Sequence, residues 1–194
     1  MKTVNKSKAN ETPIINRTTM KNKSILFSTT TLALCAAVSM LAPNVMATEK
    51  DTLNATDVSF VKHASASGMA EVKVAGLGVK KAGRADVKEF AEMLVKDHTM
   101  ANEELKKLAS TKGVELSAVI DPKHADTFQK LEKVSGTEFD KEFLADQVSD
   151  HKKCVSNFEA ASKDSKDTEV KIFADKMLPT LRAHLATAKE LVSK

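Results

Sequence analysis

From residue 57 to residue 192 apolar positions recur at three- and four-residue intervals, and few stretches alternate as a half-buried strand would. The pattern predicts five helices. The first is capped by Thr56 or Asp57 and runs to about Ala82, with Gly83 as its stop. Its inner face carries Val61, Ala64, Ser65, Gly68, Val72, Ala75 and Val79. Gly68, Gly76 and Gly78 lower its helix propensity, and tight packing against neighbours explains them better than a hinge. The second helix runs from about Ala85 to Lys112 on a stripe of Phe90, Leu94, His98, Ala101, Leu105 and Leu108. Asp121-Pro122 opens a short third helix, a cap followed by proline at the first helical position. Phe128, Leu131 and Val134 form its buried side and Gly136 ends it. Thr137 and Asp140 resemble a capping box for the fourth helix, about Glu138 to Ser162, whose stripe is Leu144, Val148, His151, Val155 and Phe158. Asp167 or Thr168 caps the fifth, which runs to about Val192 on Val170, Ala174, Met177, Leu181, His184, Ala188 and Leu191. Pro179 is expected to kink it or loosen one turn.

Four of these helices have about 25 residues and span roughly 37 Å each. Two pairs joined by short turns, with a longer connection between the pairs, make two antiparallel hairpins. The expected fold class is all-α: a ferritin-like four-helix bundle with a short extra helix in the crossover. An internal repeat supports it. Lys88 to His98 aligns without a gap on Lys141 to His151, and Lys, Glu, Phe, Val, Asp and His coincide in six of eleven positions. The repeat maps the second helix of one hairpin onto the first of the other.

Residues 1–47 change the reading of composition. Lys21-Asn22-Lys23 is a basic segment, Ile25 to Leu41 an uncharged apolar run, and Val45-Met46-Ala47 a small-residue cleavage site. That is the layout of a signal peptide cut after Ala47, starting at Met1 or Met20; a retained anchor is the rival reading. Residues 48–56 are then a polar entry segment and 57–192 the helical domain. Six of the 30 Lys and Arg but only one of the 26 Asp and Glu fall in residues 1–47, leaving 24 basic and 25 acidic residues, a net of −1. The basic character belongs to the leader, so nothing points to nucleic acid. Nor is there a strongly basic amphipathic face for a membrane surface, and no span is expected after cleavage. Export predicts a periplasmic or secreted protein. Cys35 lies in the leader, where Leu34 spoils a lipoprotein box, and Cys154 is left without a partner for an internal disulfide.

The chemistry sits on the stripes. His98, His151 and His184 lie on the apolar faces of three long helices, and the fourth long helix offers Glu71. One ligand-type residue per helix at similar depth is what a metal site in a bundle core requires, and imidazole with carboxylate suits one zinc, iron, copper or manganese ion. Asp97 and Asp150 are the candidate supporting carboxylates. Adjacent residues point about 100° apart on a helix, so each can serve a neighbouring helix instead of its own histidine. The bland reading is that each inward histidine is satisfied by a hydrogen bond and serves packing. His63 and His124 lack an apolar face and are expected to be solvated. The residues three before the inward histidines are Val95, Val148 and Leu181, so the Glu-x-x-His motif of di-iron enzymes is missing. No phosphate loop, nucleophile elbow or cysteine-pair zinc motif appears either, which weighs against an enzyme.

Several spaced blocks carry a family resemblance: Phe60-Val61-Lys62 with Gly68-Met69-Ala70-Glu71-Val72, Val87-Lys88 with Phe90-Ala91, Asp97-His98, Asp150-His151-Lys152, and Leu178 to Arg182 with His184-Leu185. Over about residues 57–192 the chain resembles the bacterial "domain of unknown function 4142" family of secreted, ferritin-like helical proteins. The resemblance implies that fold and export. It implies no activity, substrate or ligand set. Two functions remain open: a core that binds a transition metal in envelope stress defence, or a metal-free interaction protein whose partner is another envelope protein.

Overall fold

A computed structural model describes residues 52–119 and 122–194 of the chain. The expected leader and the Asp121 cap lie outside the described residues. The protein is all-α: α1 (Ala55–Lys81), α2 (Ala85–Thr111), α3 (Pro122–Leu131), α4 (Gly136–Asp164) and α5 (Thr168–Val192). Among the described residues the β structure amounts to one isolated bridge, Ala82 to Gly136. No described helix is long and apolar enough to cross a membrane.

α1 packs along α2, and α4 along α5, as helical hairpins. Polar contacts at the two ends fix the directions. At one end, here the upper, Asp140 near the start of α4 accepts from Gly83 N and Arg84 N, both at 2.9 Å, at the turn from α1 to α2. The Arg84 guanidinium donates to the Leu191 carbonyl near the end of α5 at 3.0 Å. At the lower end Asp57, in the first turn of α1, accepts from Lys166 N and Asp167 N in the turn from α4 to α5. Lys112, at the end of α2, reaches Asp167 at 2.7 Å. Hence α2 and α4 both run downward, α1 and α5 upward, and the connection through α3 must climb the full length.

These contacts correct several expected caps. Asn54, not Thr56 or Asp57, caps α1 by accepting from Thr56 N and Asp57 N, which leaves Asp57 to bind across to the other hairpin. Asp140 does not complete a box with Thr137. It binds the α1–α2 turn instead, through Gly83 N and Arg84 N, and α2 has no side-chain cap at Arg84. α5 continues through Pro179 as one helix. Gly78 does reflect close packing: a Cβ there would lie 2.6 Å from Ala91 Cβ and against the Phe143 ring. Gly76 faces open space, so packing does not account for it.

The interior has three levels. An upper apolar cluster gathers Val74, Leu77, Val87, Phe90, Leu94, Phe139, Phe143 and Leu191. A lower one gathers Val61, Leu105, Phe158, Val170, Phe173 and Leu181. Between them every long helix turns a polar residue inward: Glu71 on α1, His98 on α2, Gln147 and His151 on α4, and His184 on α5, none more than 8% exposed.

Candidate metal centre

Helical period places the three imidazoles at one level. His98 follows Leu94 by four residues on the buried face of α2. His151 follows Gln147 by four on α4, and His184 follows Leu181 by three on α5. One ring nitrogen from each lies within 4.8 Å of the other two, and all three residues are buried. His98 Nε2 and His151 Nε2 are 3.4 Å apart. Two nitrogens held at 2.0–2.1 Å from one tetrahedral or trigonal ion stand about 3.3–3.6 Å apart, so this pair is already at ligand spacing.

Hydrogen bonds orient two of the rings. His151 Nδ1 lies 3.1 Å from the Gln147 carbonyl, which can only accept, so the ring donates there and leaves the Nε2 lone pair toward His98. His184 Nε2 lies 3.0 Å from Asp97 Oδ2 and donates to it, leaving Nδ1 buried and without a partner. An imidazole held by a carboxylate or carbonyl on its far nitrogen is the usual support of a metal ligand. Burial pushes the basicity of all three down, and the neighbouring histidines add to it for His98 and His151: His98 falls to about 3 and His151 to about 4, while Asp97 partly offsets the effect at His184. The rings are neutral at neutral pH, with lone pairs free to bind a cation.

The other expected site residues fall elsewhere. Glu71 is outside the imidazole group. Its carboxyl is buried between α1 and α4, and burial, with Asp150 and Asp146 nearby, raises its pKa to about 8. The Gln147 side chain beside it partly offsets that rise by hydrogen bonding. Asp97 serves His184 across helices. Asp150 pairs instead with His124 of α3, Nε2 to Oδ2 at 3.5 Å. His124, expected to be solvated, has a side chain only 13% exposed, because α3 lies over α4 and brings it to that carboxylate. Gln147 is the residue sequence reasoning missed: its carbonyl orients His151 and its side chain is fully buried. Its place four residues before His151 was the available signal.

A cavity of about 330 Å³ opens beside the imidazoles, with His98, His184 and Asp97 in its wall. Gly68 borders it, and a Cβ there would fall 2.1 Å from the Asn102 side-chain oxygen. Burial pushes the Cys154 thiol, also in this wall, up to about 12, so it stays protonated at neutral pH.

The model of the family described as Domain of unknown function (DUF4142) matches residues 42–191. No curated protein matches the chain. Among solved structures, a DUF305 fragment from Deinococcus radiodurans is similar at a TM-score of 0.66 and 16% identity, covering 73% of this chain and 98% of its own. CopM in its Cu(II)-bound form is similar at 0.61 and 17% identity, covering 71% and 95%. CopM in its Ag-bound form is similar at 0.58 and 18% identity, covering 69% and 93%. At these identities the likeness is one of fold. The chain belongs to the DUF4142 family.

Proposed function

We propose that this DUF4142 member is an exported, ferritin-like four-helix bundle that binds one transition-metal ion through His98, His151 and His184 and acts in envelope stress defence. The observation that carries the reading is the convergence of three buried, neutral imidazoles, two of them held by a hydrogen bond at one ring nitrogen. Such a donor set suits copper or zinc, and three protein donors leave a coordination position open. Asp97 holds the His184 ring, and the Gln147 carbonyl holds the His151 ring. Glu71 has no place in the donor set. CopM carries copper or silver on a similar fold, which adds weight to copper. Export rests on the signal-peptide pattern of residues 20–47.

One observation favours a metal-free reading. The 3.4 Å contact between His98 Nε2 and His151 Nε2 is also a hydrogen bond once one ring turns its proton inward. In that case the histidines are structural and the protein acts through an envelope partner. Elemental analysis of protein purified without tag or chelator separates the two. About one equivalent of a transition metal, lost in the His98→Gln, His151→Gln variant, is expected. No metal, with no thermal stabilisation by saturating copper, zinc, iron or manganese, would sink the metal reading.

A further inference from the structure

The cavity beside the imidazoles has a direction. On α4, Cys154 lies one turn beyond His151, and on α5, Met177 lies two turns before His184; both line the cavity. Because α4 runs downward and α5 upward, both positions lie below the imidazole level. Met100, two residues beyond His98 on the downward α2, lines it as well and is 52% exposed, so interior packing does not explain an apolar side chain there. Met177 is half-buried. A path therefore runs from solvent past two thioethers to His98 and His184, through walls that are mostly apolar.

Such a path discriminates by softness. A hydrated divalent ion gives up its water reluctantly and finds little replacement along apolar walls. A soft monovalent ion sheds water readily and is held by thioether sulfur. We propose that the cavity is the route by which copper(I) or silver(I) reaches the three imidazoles, with Met100 and Met177 as successive weak ligands along it. The proposal rests on the metal-binding reading of the histidines and adds the oxidation state of the ion and the way in.

The test follows transfer of copper(I) from a coloured bicinchoninate complex to the purified full chain by stopped flow, and measures equilibrium binding alongside. Methionine-to-leucine changes nearly conserve volume, so the Met100→Leu, Met177→Leu variant is expected to fold, with Met100→Leu alone as a second, exposed-site variant. The double variant should bind the same single equivalent with unchanged affinity but take it up about tenfold more slowly, with Met100→Leu intermediate. Uptake at the parent rate would overturn the route. Weaker equilibrium binding would overturn it too, making the methionines part of the resting site. If the parent protein takes no copper(I), and no silver(I) by titration, the soft-ion route falls, while the metal-binding reading stands or falls separately by elemental analysis and stabilisation with zinc, iron, manganese or copper(II).

Discussion

Two polar groups share the middle level of this interior, and they are built differently. In the imidazole cluster, hydrogen bonds hold two rings at one nitrogen each and leave the other nitrogen's lone pair free. In the neighbouring Glu71–Gln147 pair, burial keeps a carboxyl protonated up to about pH 8, with a carboxamide hydrogen-bonding beside it. Burial alone does not make a ligand. The first group is held in place by acceptors that belong to other positions or other helices. The second is a buried acid whose ionisation the fold opposes, which costs stability as pH rises. Under the proposed reading the histidines carry binding and Glu71 carries a pH-dependent stability cost.

The sharpest way to break this comparison is to exchange the roles. Replacing His98 and His151 together by Gln should abolish ion uptake in a metal titration, whereas Glu71→Gln should leave one equivalent bound. Loss of the ion in the Glu71 variant would show that the carboxylate belongs to the donor set after all. The next effect is on stability against pH. The native state keeps Glu71 protonated up to about pH 8, while the unfolded chain releases that proton near the ordinary 4.5. The unfolded state is therefore favoured as pH rises from 4.5 to 8, and Glu71→Gln should gain on the parent by a few kcal/mol across that range in urea melts. A constant difference at all pH values would contradict the assignment. In metal-free protein the imidazoles act the other way. His98 and His151 bind protons only near pH 3–4 when folded but at 6.5 when unfolded, so their share of stability is lost as pH falls below 6.5.

Smaller effects sharpen the comparison further. Asp97→Asn keeps the shape but removes the charge that orients His184, and should weaken ion binding about 10- to 100-fold in competition titrations. Unchanged affinity would reduce Asp97 to a surface neighbour. Gln147→Leu removes the carboxamide beside Glu71 but leaves the carbonyl that holds His151. It should lower the unfolding free energy by about 1 kcal/mol without altering ion binding. Loss of the ion in this variant would mean that the side chain, and not only the carbonyl, supports His151.

The levels of the fold differed in how far the sequence revealed them. The four long helices were readable because their stripes are long and periodic, and three of the polar residues at the middle level interrupt those stripes at His98, His151 and His184. The α4 stripe was read in part. Val148 and Val155 pack against the upper and lower apolar clusters but are only half-buried, while Gln147 is fully buried and Cys154 lines the cavity. Hydropathy ranks a side chain by its own preference, whereas the rotation of α4 is set by Phe139, Phe143, Leu144 and Phe158 together. Glu71 was placed at the right depth on α1, but depth does not say toward which neighbour a side chain turns. Asp140 could not be read as the anchor of the α1–α2 turn because it lies 57 and 56 residues from Gly83 and Arg84 in sequence and meets them only once the hairpins pack.

The opposed directions of the helices also decide how the molecule bears load. The chain enters α1 at the lower end and leaves α5 at the upper, roughly 40 Å away for helices of this length. A pull applied to the two ends acts along the helix axes and slides α1 past α2 and α5 past α4. It cannot peel them apart one turn at a time. Many side-chain contacts must then fail together, together with the Lys112–Asp167 and Arg84–Leu191 ties at opposite ends, so the body resists as a rod in shear.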